Sequence, residues 1–439
     1  MRRPALSPIV TAAALSGVLA AGAGAVPSAV AAPPAASVVA SLGTVATAST
    51  TVAADDPRTA AERAVATKLS NRIDAPDLGS DVRGRVIDLA TGRRVWSKGS
   101  DDLRIPASTA KLATALATLR VFDPASRLTT TVARGSAADR VVVIGAGDPS
   151  LSSADLAAAA DAAATDLTAR GHTSAVVEVD DTLFPAPSAA PGWQPGYVPE
   201  QVRWVRALVV DERHATDTSL DAGSVFGRML AARGINVRAV VHATAPADAH
   251  VLARAEGRTM GEIVQRMLLR SDNDHAEALF RLTAIRTGAK PTWSGAAAAT
   301  RALLAELRLP LTGVVLHDGS GLSRDNRVTP RLLVRMIRRS ETLSYEEYAP
   351  IRDGGLPLAG RTGSLSASLE RFTTWPSSCA AGKLTGKTGN LTGAQSLAGV
   401  AQGSDGRRRV YAFIVSGKPA TLETKQAVDR LAATVTGCW

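Results

Sequence analysis

The 439-residue chain contains few cysteines, histidines and lysines, and these shortages narrow the kinds of site it can hold. Two cysteines cannot form a zinc site by themselves, and the six histidines show no spacing typical of metal ligands. We therefore expect no bound metal and no cofactor. Lysine accounts for only 8 of the 50 basic residues, so a position that carries lysine instead of arginine is informative.

The chain also lacks the pattern of a nucleic-acid-binding protein. Its formal net charge is +10, but the basic residues form no cluster interleaved with aromatic residues, which make up only 4% of the sequence. We expect no nucleic-acid partner, and an anionic cell wall suits the positive charge better. Beyond the N-terminal region, no apolar run approaches the length of a membrane span.

The N-terminal apolar run has the organisation of a secretory signal peptide. Arg2 and Arg3 precede a run of small and apolar residues at 9–25, and small-residue cleavage candidates follow it. A membrane anchor is the alternative, but glycines and Pro27 interrupt the run. We predict a signal peptide at residues 1–31 and a disordered leader or linker at 32–56. The protein is then secreted to the cell wall or periplasm, with no stable membrane span after cleavage.

Export also decides how the two cysteines are interpreted. In an oxidising compartment an even number of cysteines favours a disulfide, so we predict a bond between Cys379 and Cys438. This bond would tie the segment before Lys387 to the C-terminal helix. Two buried free cysteines are the alternative.

Hydrophobic periodicity places strands near both ends of the chain and helices between them. Residues 82–88 and 94–97 predict an N-terminal hairpin. Residues 395–402 and 409–415 predict two neighbouring strands, which a C-terminal helix follows. This order suggests one antiparallel sheet closed by the two termini.

A segment of mixed strand and helix patterns separates the first helix from the helical layer and suggests an insertion. We predict an inserted domain at residues 128–263. The catalytic domain is then discontinuous and consists of residues 57–127 and 264–439.

Ser108 and Lys111 form the first candidate catalytic pair. The pattern at residues 108–122 predicts a helix, and residues three apart on a helix share a face, so the two side chains can meet. A serine hydroxyl is a nucleophile, and a buried lysine, unlike an arginine, can lose its proton near neutral pH. A solvated helical pair is the alternative, because a Ser-x-x-Lys match alone is a weak signal.

Two further motifs follow Ser108 along the chain, and each occurs once. Ser271-Asp272-Asn273 lies between two helical patterns, where a loop can turn a hydroxyl and an amide into a cleft. Lys387-Thr388-Gly389 precedes the strand at residues 395–402 and, on an edge strand, would place a cation and a hydroxyl beside a peptide carboxylate. Two segments mimic this third motif, and we interpret both as structural: Arg286-Thr287-Gly288 and Arg361-Thr362-Gly363.

The three motifs and their surroundings resemble the penicillin-recognising serine acyl transferases. The similarity is greatest to the D-Ala-D-Ala carboxypeptidase/endopeptidase family of low-molecular-mass class C penicillin-binding proteins, peptidase family S13, of the DacB type. It extends from about residue 83 to the C-terminus, and the matching segments are 106–111, 145–151, 271–277, 318–324 and 386–389.

This resemblance implies an α/β (α+β) fold of the β-lactamase and transpeptidase type. An antiparallel sheet is flanked by helices, and one α/β domain is inserted between the Ser-x-x-Lys and Ser-x-Asn motifs. The interval from Ser108 to Ser271 is too short for both extra domains of the best-known members.

The resemblance also implies a covalent mechanism. Ser108 would attack the peptide bond between two terminal D-Ala residues of a peptidoglycan stem peptide, with Lys111 as the base. Ser271 would relay the proton to the leaving amine. β-Lactam antibiotics would acylate Ser108 and remain bound because their acyl group stays tethered.

Five residues are implied in substrate binding. Asn273 would hold the substrate amide, and Lys387 and Thr388, with Gly389 beside them, would hold the terminal carboxylate. The backbone N–H of Asn390 would join that of Ser108 in the oxyanion hole. The family more often has threonine or serine at position 390, so side-chain help from Asn390 stays open.

Three alternatives compete with this function. A serine β-lactamase shares the acylation machinery, but no Glu-x-x-Leu-Asn segment that would supply a deacylating base lies between Ser271 and Lys387. A catalytically silent wall-binding protein of the same fold would not need intact Ser108 and Lys111. An ordinary esterase is disfavoured because no Gly-x-Ser-x-Gly occurs. The sequence leaves open whether carboxypeptidase or endopeptidase activity dominates.

Overall fold

The structure of the protein is a computed structural model that describes Asp56 and residues 58–439. The predicted signal peptide at residues 1–31 and almost all of the predicted leader at 32–56 lie outside the described residues. Within the described part of the chain, no helix is both long enough and apolar enough to cross a membrane.

The described chain contains eleven α-helices and ten β-strands. The α-helices are α1 (Ala60–Arg72), α2 (Lys111–Val121), α3 (Ser153–Ala169), α4 (Tyr197–Glu200), α5 (Thr218–Ala231), α6 (Met260–Arg270), α7 (Asn273–Arg286), α8 (Trp293–Glu306), α9 (Pro330–Thr342), α10 (Tyr345–Arg352) and α11 (Leu422–Val435). The strands are β1 (Asp81–Asp88), β2 (Arg94–Lys98), β3 (Arg127–Arg134), β4 (Arg140–Ile144), β5 (Ser174–Asp180), β6 (Asn236–His242), β7 (Val251–Thr259), β8 (Leu384–Leu391), β9 (Ala394–Gln402) and β10 (Arg408–Ser416).

The first sheet joins strands from both ends of the described chain. Its order is β2-β1-β10-β9-β8, and every neighbouring pair is antiparallel. β1 pairs along its length with β10, so that Asp81 lies opposite Ser416. The predicted antiparallel sheet closed by the two termini is confirmed.

Helices cover both faces of this sheet, which explains the almost continuous apolar sequence of β10. Its even-numbered residues from 410 to 414 pack in a core with residues of α2, α6 and α9. Its odd-numbered residues from 411 to 415 pack in a second core with α1 and α11. A strand buried on both faces loses the alternation of polar and apolar residues.

The second sheet is formed by the part of the chain that lies between α2 and α6 in the sequence. Its order is β6-β5-β4-β3-β7, with parallel pairing of β4, β5 and β6 and antiparallel pairing of β3 with β4 and β7. α3 and α5 pack on it around a separate core. The mixed α/β fold class is confirmed, whereas the domain limits at residues 128 and 263 stay a prediction.

Helix α2 is the centre of the helical layer. Its residues from Lys111 to Leu119 are all buried, and it packs against α6, α7, α8 and α9. A helix that is enclosed on all sides also buries its polar side chains, and Lys111 at the N-terminus of α2 is one of them.

Candidate active site

Ser108 lies in a short 3₁₀ helix, Ala107–Ala110, that leads directly into α2. The sequence predicted an α-helix from residue 108, so its first turn is tighter than expected. Ala107 has a left-handed backbone with φ of 47°, a conformation that is costly for a residue with a Cβ and is often found at functional sites. Ser108 is only half-buried, so its hydroxyl can be reached from outside.

The Lys111 side chain is fully buried beside Ser108. Its Nζ lies 3.1 Å from Ser108 Oγ, 2.7 Å from Asn273 Oδ1 and 2.8 Å from the Ser320 carbonyl oxygen. The predicted meeting of Ser108 and Lys111 across one helical turn therefore occurs in the structure. Three oxygens surround the amine, and none of them belongs to a carboxylate.

Burial lowers the pKa of Lys111 to about 8. Two buried carboxylates, Glu277 and Asp318, act in the opposite direction and limit the fall. An amine in this range is neutral in a substantial fraction of molecules at physiological pH, which a general base requires.

Ser271 and Asn273 lie where α6 ends and α7 begins. Ser271 caps α6 with a left-handed backbone, φ 60°, which turns its hydroxyl toward the sheet. Asn273 is the first residue of α7, and its Nδ2 donates to the backbone oxygen of Gln201 at 2.7 Å. One Nδ2 hydrogen is left to donate to a substrate carbonyl.

Lys387, Thr388 and Gly389 lie on β8, which is an edge strand of the first sheet. Lys387 is fully buried, and its Nζ donates to Ser271 Oγ and to the Thr388 carbonyl oxygen, both at 2.8 Å. Burial and then the charge of Lys111 hold the pKa of Lys387 well below its usual range. The structure thus connects the second and third motifs by a direct hydrogen bond.

Gly389 allows β8 to approach the nucleophile closely. A Cβ at this position would lie 2.7 Å from the Pro106 carbonyl oxygen and 3.0 Å from the Ser108 nitrogen. On the neighbouring strand β9, Ser396 donates its hydroxyl to the same Pro106 oxygen at 2.6 Å. Asn390, the next residue of β8, is exposed. Any larger residue at 389 would push the edge strand away from Ser108.

Sequence reasoning missed four contributors to this site. Ser364 Oγ lies 2.7 Å from Thr388 Oγ1, directly after the Arg361-Thr362-Gly363 segment. Gln201 reaches Asn273 from the segment between β5 and β6. Glu277 and Ser320 lie in segments that the family resemblance had marked, although it gave them no role.

No group of three or more histidine, cysteine, aspartate or glutamate side chains arranged to hold a metal ion occurs among residues 58–439. The chemistry available here is that of a serine nucleophile, two buried amines and hydroxyl groups.

A family model described as D-Ala-D-Ala carboxypeptidase 3 (S13) matches residues 65–212 and 196–435. The chain belongs to this family. The prediction of a serine D-Ala-D-Ala carboxypeptidase of the S13 family is therefore confirmed at the level of family and enzyme class.

Two relatives within this S13 carboxypeptidase family align over most of the chain. A carboxypeptidase of Mycobacterium tuberculosis is 32% identical over 88% of this chain and 86% of its own length. A D-alanyl-D-alanine carboxypeptidase of Actinomadura sp. (strain R39) is 28% identical over 86% of this chain and 87% of its own length.

Solved structures support the fold of this S13 carboxypeptidase. Penicillin binding protein 4 (dacB) of Haemophilus influenzae superposes with a TM-score of 0.72 at 17% identity, covering 84% of this chain and 99% of the other. A predatory endopeptidase of Bdellovibrio bacteriovorus gives a TM-score of 0.50 at 14% identity, covering 81% and 92%. At these identities the likeness concerns the fold alone.

Proposed function

We propose that the protein removes the terminal D-Ala from peptidoglycan stem peptides outside the cytoplasmic membrane, through an acyl-enzyme on Ser108. The observation that carries this proposal is the position of the fully buried Lys111 Nζ, 3.1 Å from Ser108 Oγ. A weakly basic amine in contact with a reachable serine hydroxyl is the arrangement that activates a serine nucleophile.

The surroundings of Lys111 suit the neutral amine. A neutral lysine has two N–H groups, and the structure offers two acceptors without hydrogens, Asn273 Oδ1 and the Ser320 carbonyl oxygen. When both N–H groups are used in this way, the remaining lone pair faces Ser108. Ser108 can then donate its hydroxyl proton to Lys111 as its oxygen attacks the D-Ala-D-Ala carbonyl carbon.

The negative oxygen formed in this attack would be bound by the backbone N–H groups of Ser108 and Asn390. The close approach of β8 that Gly389 permits supports this pairing. Collapse of the intermediate breaks the C–N bond, and the leaving D-Ala takes a proton through Ser271. Water later hydrolyses the Ser108 ester.

Recognition of the terminal carboxylate would use β8 and its neighbours. Lys387 is fully buried, so it would act on the substrate through its hydrogen bond to Ser271 and not by direct contact. The paired hydroxyls of Thr388 and Ser364 provide hydrogen-bond donors at this edge. Asn273 would bind the backbone amide of the preceding residue with its remaining Nδ2 hydrogen.

β-Lactams would be trapped at the acyl-enzyme stage. The ring-opened antibiotic keeps its leaving group attached, so the amine cannot diffuse away and the adduct persists. A solved structure of the related Haemophilus influenzae protein contains a β-lactam. In this protein the β-lactam would form an ester with Ser108.

The test combines a substrate and an inhibitor. We expect the protein to shorten a pentapeptide stem by one D-Ala in mass spectrometry and to be labelled on Ser108 by a fluorescent penicillin. Opening of cross-linked dimers in the same digest would add endopeptidase activity. Ser108→Ala should lose both reactions, while Ser404→Ala, in an exposed turn, should keep both. A wild-type protein that is neither labelled nor active would refute the proposal.

A further inference from the structure

Glu277 is a buried carboxylate that the mechanism above does not use. It lies on α7 one turn after Asn273, on the same face of the helix. It is fully buried, and its two oxygens accept the backbone N–H groups of Gly319 at 2.9 Å and Ser320 at 2.8 Å. Within residues 58–439 it forms no ion pair closer than 4.0 Å.

Burying a carboxylate without a contacting cation is costly, and two backbone hydrogen bonds offset only part of that cost. Burial and the nearby Asp318 accordingly raise the pKa of Glu277, while the hydrogen bonds from Gly319 and Ser320 act in the opposite direction. Both oxygens accept a hydrogen bond, an arrangement that suits the ionised form. A neutral side chain would avoid the cost of burying a charge, so a carboxylate at this position points to a role for the charge itself.

The loop held by Glu277 is also the loop that contacts the base. Ser320 donates its N–H to Glu277 and offers its carbonyl oxygen to Lys111 Nζ at 2.8 Å. The two acceptors that orient the amine of Lys111 are thus both controlled by α7. Asn273 acts directly, and Glu277 acts through the Ser320 peptide.

We propose that Glu277 is a positioning residue for the Lys111 base, which holds the Ser320 carbonyl against Nζ and supplies the negative charge that balances the protonated amine. This inference rests on the proposed function. Glu277 has no predicted contact with substrate, so it should affect the acylation step and leave the initial binding of a penicillin unchanged.

The charges around Lys111 predict the direction in which the pH profile of acylation should move when Glu277 is replaced. The acidic groups that act on Lys111 are Glu277, Asp318, Asp272 and Asp274. Two buried cations lie within reach of this group: Lys387 is affected by the charge of Lys111, and Arg281 by the charge of Glu277. Glu277 is the strongest of the acidic groups. Removing its charge makes protonation of Lys111 less favourable, so the neutral base persists to lower pH.

The loop has a second anchor, so it does not depend on Glu277 to fold. The Asp318 carboxylate accepts hydrogen bonds from the backbone N–H groups of Gly321 and Ser323 and from the side chains of Asn326 and Trp193, at 2.6–3.0 Å. Variants at position 277 can therefore keep the loop while losing its fine placement.

Two variants separate the charge of Glu277 from its geometry. Glu277→Gln removes the charge and one acceptor. We expect the acid limb of the pH profile for penicillin acylation to move down by about one pH unit, and the plateau rate to fall about tenfold or more. Glu277→Asp keeps the charge but is one methylene shorter, so the acid limb should stay in place while the plateau falls. The Kd for the initial penicillin complex should be unchanged in both.

Glu178→Gln is the matched control. Glu178 is also fully buried and also accepts a backbone N–H, from Ser136 at 2.9 Å, but it lies on β5 of the second sheet. It should lower the thermal midpoint without moving the acid limb or the plateau. A shift in the control equal to that in Glu277→Gln would reduce Glu277 to a general contributor to stability and overturn the inference.

The inference is also overturned if folded Glu277→Gln keeps both the wild-type acid limb and the wild-type plateau. If that variant does not fold, Glu277→Asp decides, and a wild-type plateau in it refutes the positioning role. Failure of wild-type protein to be labelled at Ser108 is a different result, because it refutes the proposed function itself and the inference with it.

Discussion

Buried charges are treated differently in the candidate active site and in the region of the second sheet around Glu178. In the second sheet, Glu178 is fully buried and pairs with Arg140 at 2.8 Å. Asp166 on α3 pairs with Arg134 and Arg170, both at 2.6 Å. In the candidate active site, Lys111, Lys387 and Glu277 are also fully buried, yet their hydrogen bonds go to hydroxyl, amide and backbone groups.

The difference follows from whether a buried side chain has to release its proton. A contact ion pair stabilises the charged form of both partners and holds the proton in place. Neutral acceptors leave the desolvation of an amine largely uncompensated, so burial lowers its pKa and the proton can leave. The candidate active site thus leaves Lys111, Lys387 and Glu277 without a contact ion pair, whereas Glu178 and Asp166 keep theirs.

The largest effect is expected when the buried amine of Lys111 is replaced by a group that cannot lose its proton. Lys111→Arg keeps a positive charge but removes a group that can lose a proton, since the pKa of arginine stays above about 12. We expect the second-order rate of labelling by a fluorescent penicillin to fall about a hundredfold to ten-thousandfold.

Lys387→Arg is the control for that change, because Lys387 is equally buried and must accommodate the same larger side chain. Its role requires a hydrogen-bond donor to Ser271, which arginine also supplies, so labelling should weaken by a smaller factor. Circular dichroism should confirm that each variant is folded. Labelling of Lys111→Arg at near the wild-type rate would show that Lys111 is not the base.

The next effect concerns the stability of the protein around the first sheet. Cys379 and Cys438 form the predicted disulfide, which joins the 3₁₀ turn before β8 to the chain beyond α11. The bond closes a 59-residue separation, for which the chain-entropy model gives about 4 kcal/mol. Cys379→Ser with Cys438→Ser should lower the free energy of unfolding by about this amount in urea titrations. An unchanged unfolding midpoint would contradict it.

The smallest effect is expected when the ion pair between Arg140 and Glu178 is removed. Arg140→Ala leaves Glu178 buried with only its Ser136 hydrogen bonds, because the partner at 2.8 Å is lost. We expect a loss of about 1–3 kcal/mol in unfolding free energy and no change in penicillin labelling of the folded protein. A labelling rate that falls together with stability would mean that the ion pair of Glu178 and the candidate active site are not independent.

Local sequence signals identified the parts of the site that depend on local geometry. Ser108 and Lys111 meet because a helical turn brings positions i and i+3 together. A capping box, Thr59 with Glu62, begins α1, and this signal was present in the sequence but was overlooked. β7 carried little signal, since its Ala, Arg, Glu and Gly residues favour strands weakly and half of them are exposed.

Other contacts have no local signal. Gln201 meets Asn273 across 72 residues, and Ser364 meets Thr388 across 24. Each contact is made by a loop whose course depends on packing elsewhere in the fold. Glu277 is an intermediate case, because its segment could be recognised whereas its partner loop could not.

The hydrogen bond from Ser396 to the Pro106 carbonyl oxygen joins residues that are 290 positions apart. During synthesis at roughly 5–20 residues per second, the segment that carries Ser108 is made tens of seconds before the strand that completes its surroundings. A growing chain therefore has its serine and its amine long before it has a working enzyme. The enzyme can become reactive only after β8 and β9 have been made, when most of the chain has left the ribosome.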